Sequence, residues 1–351
     1  MNRNQAVRTS SLVTVLVTGL AACIGASIAT RNLVREPAAS RPQNQQQAEI
    51  DKRSVLQLEP VRTAKDFGLE AFDHVRALTG FGPRHPGNPG TPGWTQQLDY
   101  IEKHCKALGL TVVRDTWTDR KELITFTNLS AVIPGKKKER IVLACHHDTK
   151  CTQGHTDPAH NFHFVGANDG GSGVGVLLAL APVLKAAARE ATIELVFFDG
   201  EESLDWTWNE GARAMFGSKR YCKRHREALL VGEEPRIEAL VLLDMVGRTD
   251  LHIQEETYST ARLRTILWSA AVACGHQQSV FRRAAGATDD HKPFLDAGIP
   301  AVDLIDLDDN PHWHKATDTL ENVSAASLQI TADLVLTMLP EIERAYVLRK
   351  E

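Results

Sequence analysis

Apolar residues in this chain recur at two different spacings, and the switch between them predicts the order of the elements. Phe67, Leu69, Phe72, Val75 and Leu78 fall at roughly helical spacing and predict a helix over 64–78. Leu98, Ile101, Cys105 and Leu108 do the same over 93–108. A Pro/Gly-rich loop over 80–90 separates the two. From residue 111 onward, short apolar runs of strand length take over. They predict strands over 111–116, 128–133, 140–144, 192–198, 239–243 and 301–305. Helices of crossover length are predicted over 174–188, 261–274 and 325–339. Strands alternating with such helices imply an α/β fold, a single three-layer α/β/α domain with a mainly parallel central sheet.

The N-terminus follows another pattern. Arg3 and Arg8 precede an apolar run that begins at Leu12 and is broken only by Ser, Thr and Gly up to Thr30. A basic start followed by such a run reads as an export signal. Leu20-Ala21-Ala22-Cys23 resembles a lipoprotein box, yet the apolar run continues to Ala29, long enough to cross a bilayer. Residues 1–30 are therefore expected to be a signal/lipoprotein segment or an uncleaved membrane anchor. Residues 31–59 hold Pro37, Pro42 and the run from Gln43 to Gln47, and read as a polar disordered linker. This leaves 60–351 as the folded domain, expected on the extracytoplasmic side, with membrane contact through the N-terminal segment only.

Composition narrows the function classes. The chain has 351 residues, 42% apolar and 24% charged, with a net charge of −4, so no broad basic field points to nucleic acid. Six cysteines include no CxxC pair, which argues against a cysteine-zinc site. Export permits disulfides. Cys145 and Cys151 are the nearest pair, and a bridge between them is one open pairing.

The chemistry clusters where strands are predicted to end. His146-His147-Asp148 follows one apolar run, Asp199-Gly200-Glu201-Glu202 a second, and Asp244 a third. His312-Trp313-His314 comes shortly after a fourth, and Asp169 lies in a glycine-rich loop opening a helix. Ligands of open α/β sheets bind outside the carboxyl ends of the strands. A single strand-end Asp is usually a cap or turn residue. Four strand ends and one loop, all carrying carboxylate or imidazole, are better explained by a catalytic zinc site, which needs about three such ligands. Gly171-Ser172-Gly173 lacks the spacing of a nucleophile elbow, and the loop lacks the Lys of a phosphate-binding loop.

In order, His146-x-Asp148, Gly-Ala-Asn-Asp169, Asp-Gly-Glu201-Glu202, Leu-Asp244 and His314-x-x-x-Asp318 resemble the zinc aminopeptidase superfamily over nearly all of 60–340. The resemblance implies that Asp169, Glu202 and His314 ligate Zn2+, and that Glu201 is the general acid/base. His146 and Asp244 occupy the positions that complete a second zinc in the two-metal aminopeptidases. Other residues resemble the glutaminyl cyclase branch: Phe197-Phe-Asp-Gly-Glu-Glu202 with Trp206 or Trp208 and then Phe216-Gly217-Ser218, Cys145-His-His-Asp-Thr-Lys150, Asp289-Asp290-His291-Lys-Pro293-Phe294, and Trp313 before His314. Asp169-Gly-Gly-Ser-Gly173 instead resembles the peptidases. Val174 stands where the animal secretory cyclases place a cysteine, so their disulfide does not carry over to Cys145.

The cyclase resemblance implies conversion of N-terminal glutamine to pyroglutamate with ammonia release, on peptide or protein N-termini. It implies one zinc, with Asp244 and Asp289 in a proton network around Glu201. Trp206, Trp208 and Trp313 flank the proposed ligands and are expected to line the substrate pocket, Trp206 and Trp208 being alternatives for one role. Trp94, Trp117 and Trp268 lie away from the ligands in sequence. His147 is expected behind the ligands or at the surface. His312 is expected to face away from the site, and Asp318 to position its loop or orient an imidazole. A binuclear zinc aminopeptidase would use almost the same residues. A third reading is an inactive extracellular peptide-binding domain.

Overall fold

The computed structural model describes residues 53–87, 92–208 and 212–349. The expected signal segment, most of the expected linker, Cys23 and the tip of the 80–90 loop lie outside the described residues. Among those described, no helix is long and apolar enough to cross a membrane.

The central sheet has six strands in the order β1 (Thr111–Thr118), β2 (Thr125–Ile133), β4 (Thr192–Phe198), β3 (Arg140–His146), β5 (Ile237–Asp244) and β8 (Ala301–Ile305). β2 pairs antiparallel with both its neighbours, and the other three pairings are parallel. β3, β4 and β5 are buried along their whole length, so their sequences are nearly continuous apolar runs. Because successive side chains point to opposite faces, each central strand feeds two cores. Ile141, Leu143 and Cys145 join a large cluster with α1 (Phe67–Gly80), α3 (Ser172–Ala186), α5 (Ala261–Cys274) and α7 (Ala325–Ile342). Val142 and Ala144 join a smaller one with Cys222 of α4 (Phe216–Leu230) and Phe294 of α6 (His291–Asp296). These are the expected three layers. α2 (Gly93–Ala107) packs beside β1 and β2.

Four elements were not expected from the pattern. α4 buries only Gly217, Ser218, Cys222 and His225, so its inward stripe is small and polar and leaves no apolar periodicity. The strands β6 (Ile253–Glu256) and β7 (Val280–Ala285) form a separate two-stranded parallel sheet, and α6 is a single short helix. Cys145 and Cys151 are free thiols, so the bridge considered between them does not form.

Candidate metal centre and active-site cleft

The parallel strands point their carboxyl ends to one edge, and the side chains expected there converge. β3 ends in His146, β5 ends in Asp244, and Asp199-Gly200-Glu201-Glu202 follows β4. Gly200 turns that last segment at φ +67, and a Cβ there would meet the Phe126 ring at 2.6 Å. The turn therefore requires glycine. Asp148 then holds both acids in place. It is fully buried, and its carboxylate accepts the backbone N–H of Glu201 at 3.1 Å and of Glu202 at 3.2 Å. At the root of the same turn, the Asp199 carboxylate accepts from Trp94 Nε1 at 2.9 Å and Thr127 N at 2.6 Å. Trp94, distant from the ligands in sequence, thus supports their loop.

Two of the donor groups among the described residues share Asp169. In the first, Asp169, Glu202 and His314 are all buried, with donor atoms within 4.8 Å of one another. His314 Nε2 stands 3.1 Å from Glu202 and 3.5 Å from Asp169. In the second, His146 Nε2 lies 3.0 Å from Asp244 and 3.3 Å from Asp169. His314 has φ +52, a left-handed conformation that few non-glycine residues adopt. Such strain persists where surrounding structure imposes it. Asp318, four residues on, accepts from Asn168 N at 2.8 Å and Asp169 N at 3.0 Å. It therefore links the His314 loop to the Asp169 loop.

The first group fits a metal ion on its own chemistry. Asp169 Oδ2 and Glu202 Oε1 are buried without a hydrogen-bond partner, and Glu202 Oε2 meets only His314 at 3.1 Å and Lys150 at 3.6 Å. Buried carboxylate oxygens left this way are costly unless a cation meets them. Two carboxylates and an imidazole with one open side are a zinc-type set. The electrostatics separate the neighbouring acids. Burial works to raise Glu202, but His314 and Lys150 hold it below the usual carboxylate range. Burial and then Glu202 push Asp169 up to about 6. Burial lifts Glu201 well above its ordinary value; His146 opposes this, and Asp289, Glu202 and Asp290 add to it. Asp289, buried and facing Asp244, is raised to about 6. Two adjacent glutamates thus carry opposite tendencies.

A cleft of about 1100 Å³ opens over these residues. Glu201, Asp244 and Asp289 reach it from the sheet edge, and Trp206, Trp208 and Trp313 all line it. Trp206 packs edge-on to His314 at 6.1 Å between ring centroids, and Trp313 lies tilted against the same imidazole at 4.3 Å. Both tryptophans considered for the pocket are therefore in the cleft, with Trp206 in ring contact with His314. Other residues settle differently. His147 is fully buried, bonded to Gln97 and to the Thr127 carbonyl, so it is no surface residue. His312 bonds Thr317 Oγ1 at 2.9 Å, away from the ligands.

The sequence reading missed some supporting groups. Lys150, quoted only as part of a motif, reaches 3.6 Å from Glu202 while donating to the carbonyls of Ser203 and Asp205. Arg84, fully buried, donates to the carbonyls of Val165 and Gly166 and so braces the Asp169 loop from behind. Its position between Pro83 and His85 in a Pro/Gly loop gave no periodic signal. Glu256 lies 3.2 Å from His291 and accepts the backbone N–H of Tyr258, Ser259 and Ala287, the last part of the cleft wall. His160, in the irregular loop between β3 and Asp169, also lines the cleft.

The fold is that of the zinc exopeptidases, and the buried donors at its strand ends are of zinc-binding types. Residues 128–339 match Peptidase family M28, and the chain belongs to that family. A leucine aminopeptidase precursor from Bacteroides thetaiotaomicron has the same fold, with a TM-score of 0.69 at 24% identity over 81% of this chain and 99% of that one. Within the family the chain falls in the glutaminyl cyclase branch. The crystal structure of an Acidobacteriales bacterium glutaminyl cyclase is 32% identical, with a TM-score of 0.70, over 84% of this chain and 99% of that one. A glutaminyl-peptide cyclotransferase-like protein of Bos taurus is 28% identical over 280 residues, 72% of this chain and 71% of that one.

Proposed function

We propose that this protein is a zinc-dependent glutaminyl-peptide cyclotransferase, closing N-terminal glutamine to pyroglutamate with release of ammonia. One observation carries the reading. A buried Glu201 with raised proton affinity stands beside a separate ligand group, Asp169, Glu202 and His314, at the floor of a tryptophan-lined cleft. The names of the similar proteins support it.

Asp169, Glu202 and His314 would hold the zinc. When bound there it supplies Lewis-acid polarisation of the glutamine side-chain carbonyl. Glu201 takes a proton from the substrate α-amine, whose nitrogen then forms a bond to the side-chain amide carbon. The C–N bond to the amide nitrogen breaks, and Glu201 delivers the proton to the departing ammonia. Attack within one molecule needs orientation rather than a second reactant. Trp206, Trp208 and Trp313 supply that orientation by enclosing the side chain. Asp289 acts on Glu201 and favours its protonated form, and Asp244 acts in turn on Asp289.

We infer a single zinc, because Glu202 Oε1 and Asp169 Oδ2 of the first group are buried without a hydrogen-bond partner, whereas in the second group Asp244 is hydrogen-bonded to His146 at 3.0 Å. Asp244 is thereby engaged at the position that would complete a second site. The basic and apolar N-terminal segment supports export and attachment to a membrane.

The test is the full chain incubated with Gln-peptides and with Leu- or Ala-anilides, with metal measured by elemental analysis. The expected result is ammonia release and a product lighter by one ammonia, with about one zinc per chain. Activity should be lost in Glu201→Gln with zinc retained. Anilide hydrolysis with about two zincs and no ring closure would replace the cyclase by the binuclear aminopeptidase.

A further inference from the structure

The loop between β3 and the Asp169 segment carries no regular strand or α-helix, yet it is well fastened. Thr152 Oγ1 donates to the Phe162 carbonyl at 2.6 Å, and Gly154 N donates to Asn161 Oδ1 at 3.1 Å. Asp157 caps the single 3-10 turn Pro158–His160 by accepting from Ala159 N at 2.9 Å. The product of this bracing is a fixed imidazole. His160 lies flat on the Trp206 indole, with ring centroids 3.6 Å apart and planes within 11°. His155 packs edge-on against both rings, at 5.0 Å from His160 and 5.5 Å from Trp206. Asp157 stands 3.6 Å from His160 Nδ1.

From the ligands outward the order is His314, then Trp206 at 6.1 Å, then His160 on Trp206. The cleft they share, about 1100 Å³, is at the upper end for a small-molecule site and larger than one glutamine side chain requires. Trp206 and His160 both line the cleft that a peptide reaching the ligand group would occupy. The flat, preset aromatic surface there suits an aromatic or large apolar side chain, which gains contact area without ordering the loop.

We propose that His160 is a specificity-determining residue: it holds Trp206 in place and, with it, forms the subsite for the residue following the N-terminal glutamine, favouring aromatic side chains. This inference rests on the cyclase reading for the identity of the first residue. His160 acts by stacking, so a flat uncharged ring can replace it.

The experiment compares Gln-Phe-amide with Gln-Ala-amide for the full chain, His160→Ala and His160→Phe, with products identified by mass spectrometry. The full chain is expected to prefer the Phe peptide. In His160→Ala the kcat/KM ratio of Phe to Ala peptide falls about fivefold, the size of one aromatic contact, and the loss falls on KM for the Phe peptide. His160→Phe restores the ratio. An unchanged ratio in His160→Ala, or an equal loss for both peptides, overturns the proposal. Product identity tests the cyclase reading separately. Free glutamine instead of a pyroglutamyl peptide would refute ring closure, while the Phe-to-Ala ratio in that hydrolysis would still decide the role of His160.

Discussion

Replacing Asp318 with alanine removes a carboxylate that touches neither the proposed zinc nor the cleft, and it should still weaken metal binding. Asp318 is 2% exposed and accepts two backbone donors, Asn168 N at 2.8 Å and Asp169 N at 3.0 Å, both belonging to buried residues. A buried donor stripped of its acceptor costs about 1–3 kcal/mol, so the pair sets a ceiling of about 6 kcal/mol if nothing relaxes. Part of that cost appears as lost fold stability. The part expressed at Asp169 appears as lost metal affinity, because the ligand is held by the loop that Asp318 grips. Partners of this kind are worth about 10–100-fold in metal binding, or ~1.4–2.8 kcal/mol. Asp318→Asn keeps one acceptor oxygen and turns a donor toward an N–H, so it should fall between the parent and Asp318→Ala. Zinc affinity is measured by competition with a chromophoric chelator, and Tm is followed on the zinc-saturated protein. If Asp318→Ala bound zinc within about threefold of the parent, well below the expected range, the account of Asp318 as the tie between the two loops would be refuted.

Three further outcomes follow from the same geometry. Chelator-treated protein should regain Tm as zinc is added, by an amount equivalent to ~2.7 kcal/mol at a hundredfold excess over Kd, and Glu202→Ala should abolish the response in differential scanning fluorimetry. Gly217→Ala places a Cβ 2.4 Å from Asn128 Oδ1 and 2.6 Å from the Asp199 carbonyl; urea unfolding should show a loss of ~1–3 kcal/mol, with lower kcat because Asp199 leads into the Glu201 loop. Burial acts to raise Glu256, but His291 holds it down at about 2, below the ordinary carboxylate value of about 4.3. The stability it lends is therefore present above that ordinary value and is lost as pH falls toward the folded one. The Tm gap between parent and Glu256→Gln should be widest near neutral pH and narrow as the pH drops below about 4, and a gap independent of pH would contradict the pairing.

The legible parts of this chain were those where burial is complete. β3, β4, β5 and β8 are buried on both faces and read as apolar runs; β3 and β5 stop at His146 and Asp244 and β4 runs into Asp199-Gly200-Glu201-Glu202, so those three ends announced site residues, while His314 follows β8 only after a loop. α4 was invisible because Ser218, Cys222 and His225 do the work that leucines usually do. The supporting partners were hidden for another reason: they act across large sequence distances. Trp94 meets Asp199, and Arg84 meets Val165 and Gly166, through contacts that no local spacing encodes. Glu256 and His291 are brought together by the small two-stranded sheet, which is too short to leave a pattern. The stack of His160 on Trp206 arises from an irregular loop, where neither period applies.

The dispersal of the ligands also bears on biosynthesis. Asp169 follows the third strand, Glu202 the fourth, and His314 comes after the last strand of the sheet, with Asp318 just beyond it. A ribosome must therefore deliver nearly the whole polypeptide before the third ligand exists. The emerging chain meanwhile holds two acidic ligands without their imidazole, and premature release leaves a fragment without the complete centre. If the proposed ligand set holds the zinc, catalytic competence is thus one of the last properties a newly made molecule acquires.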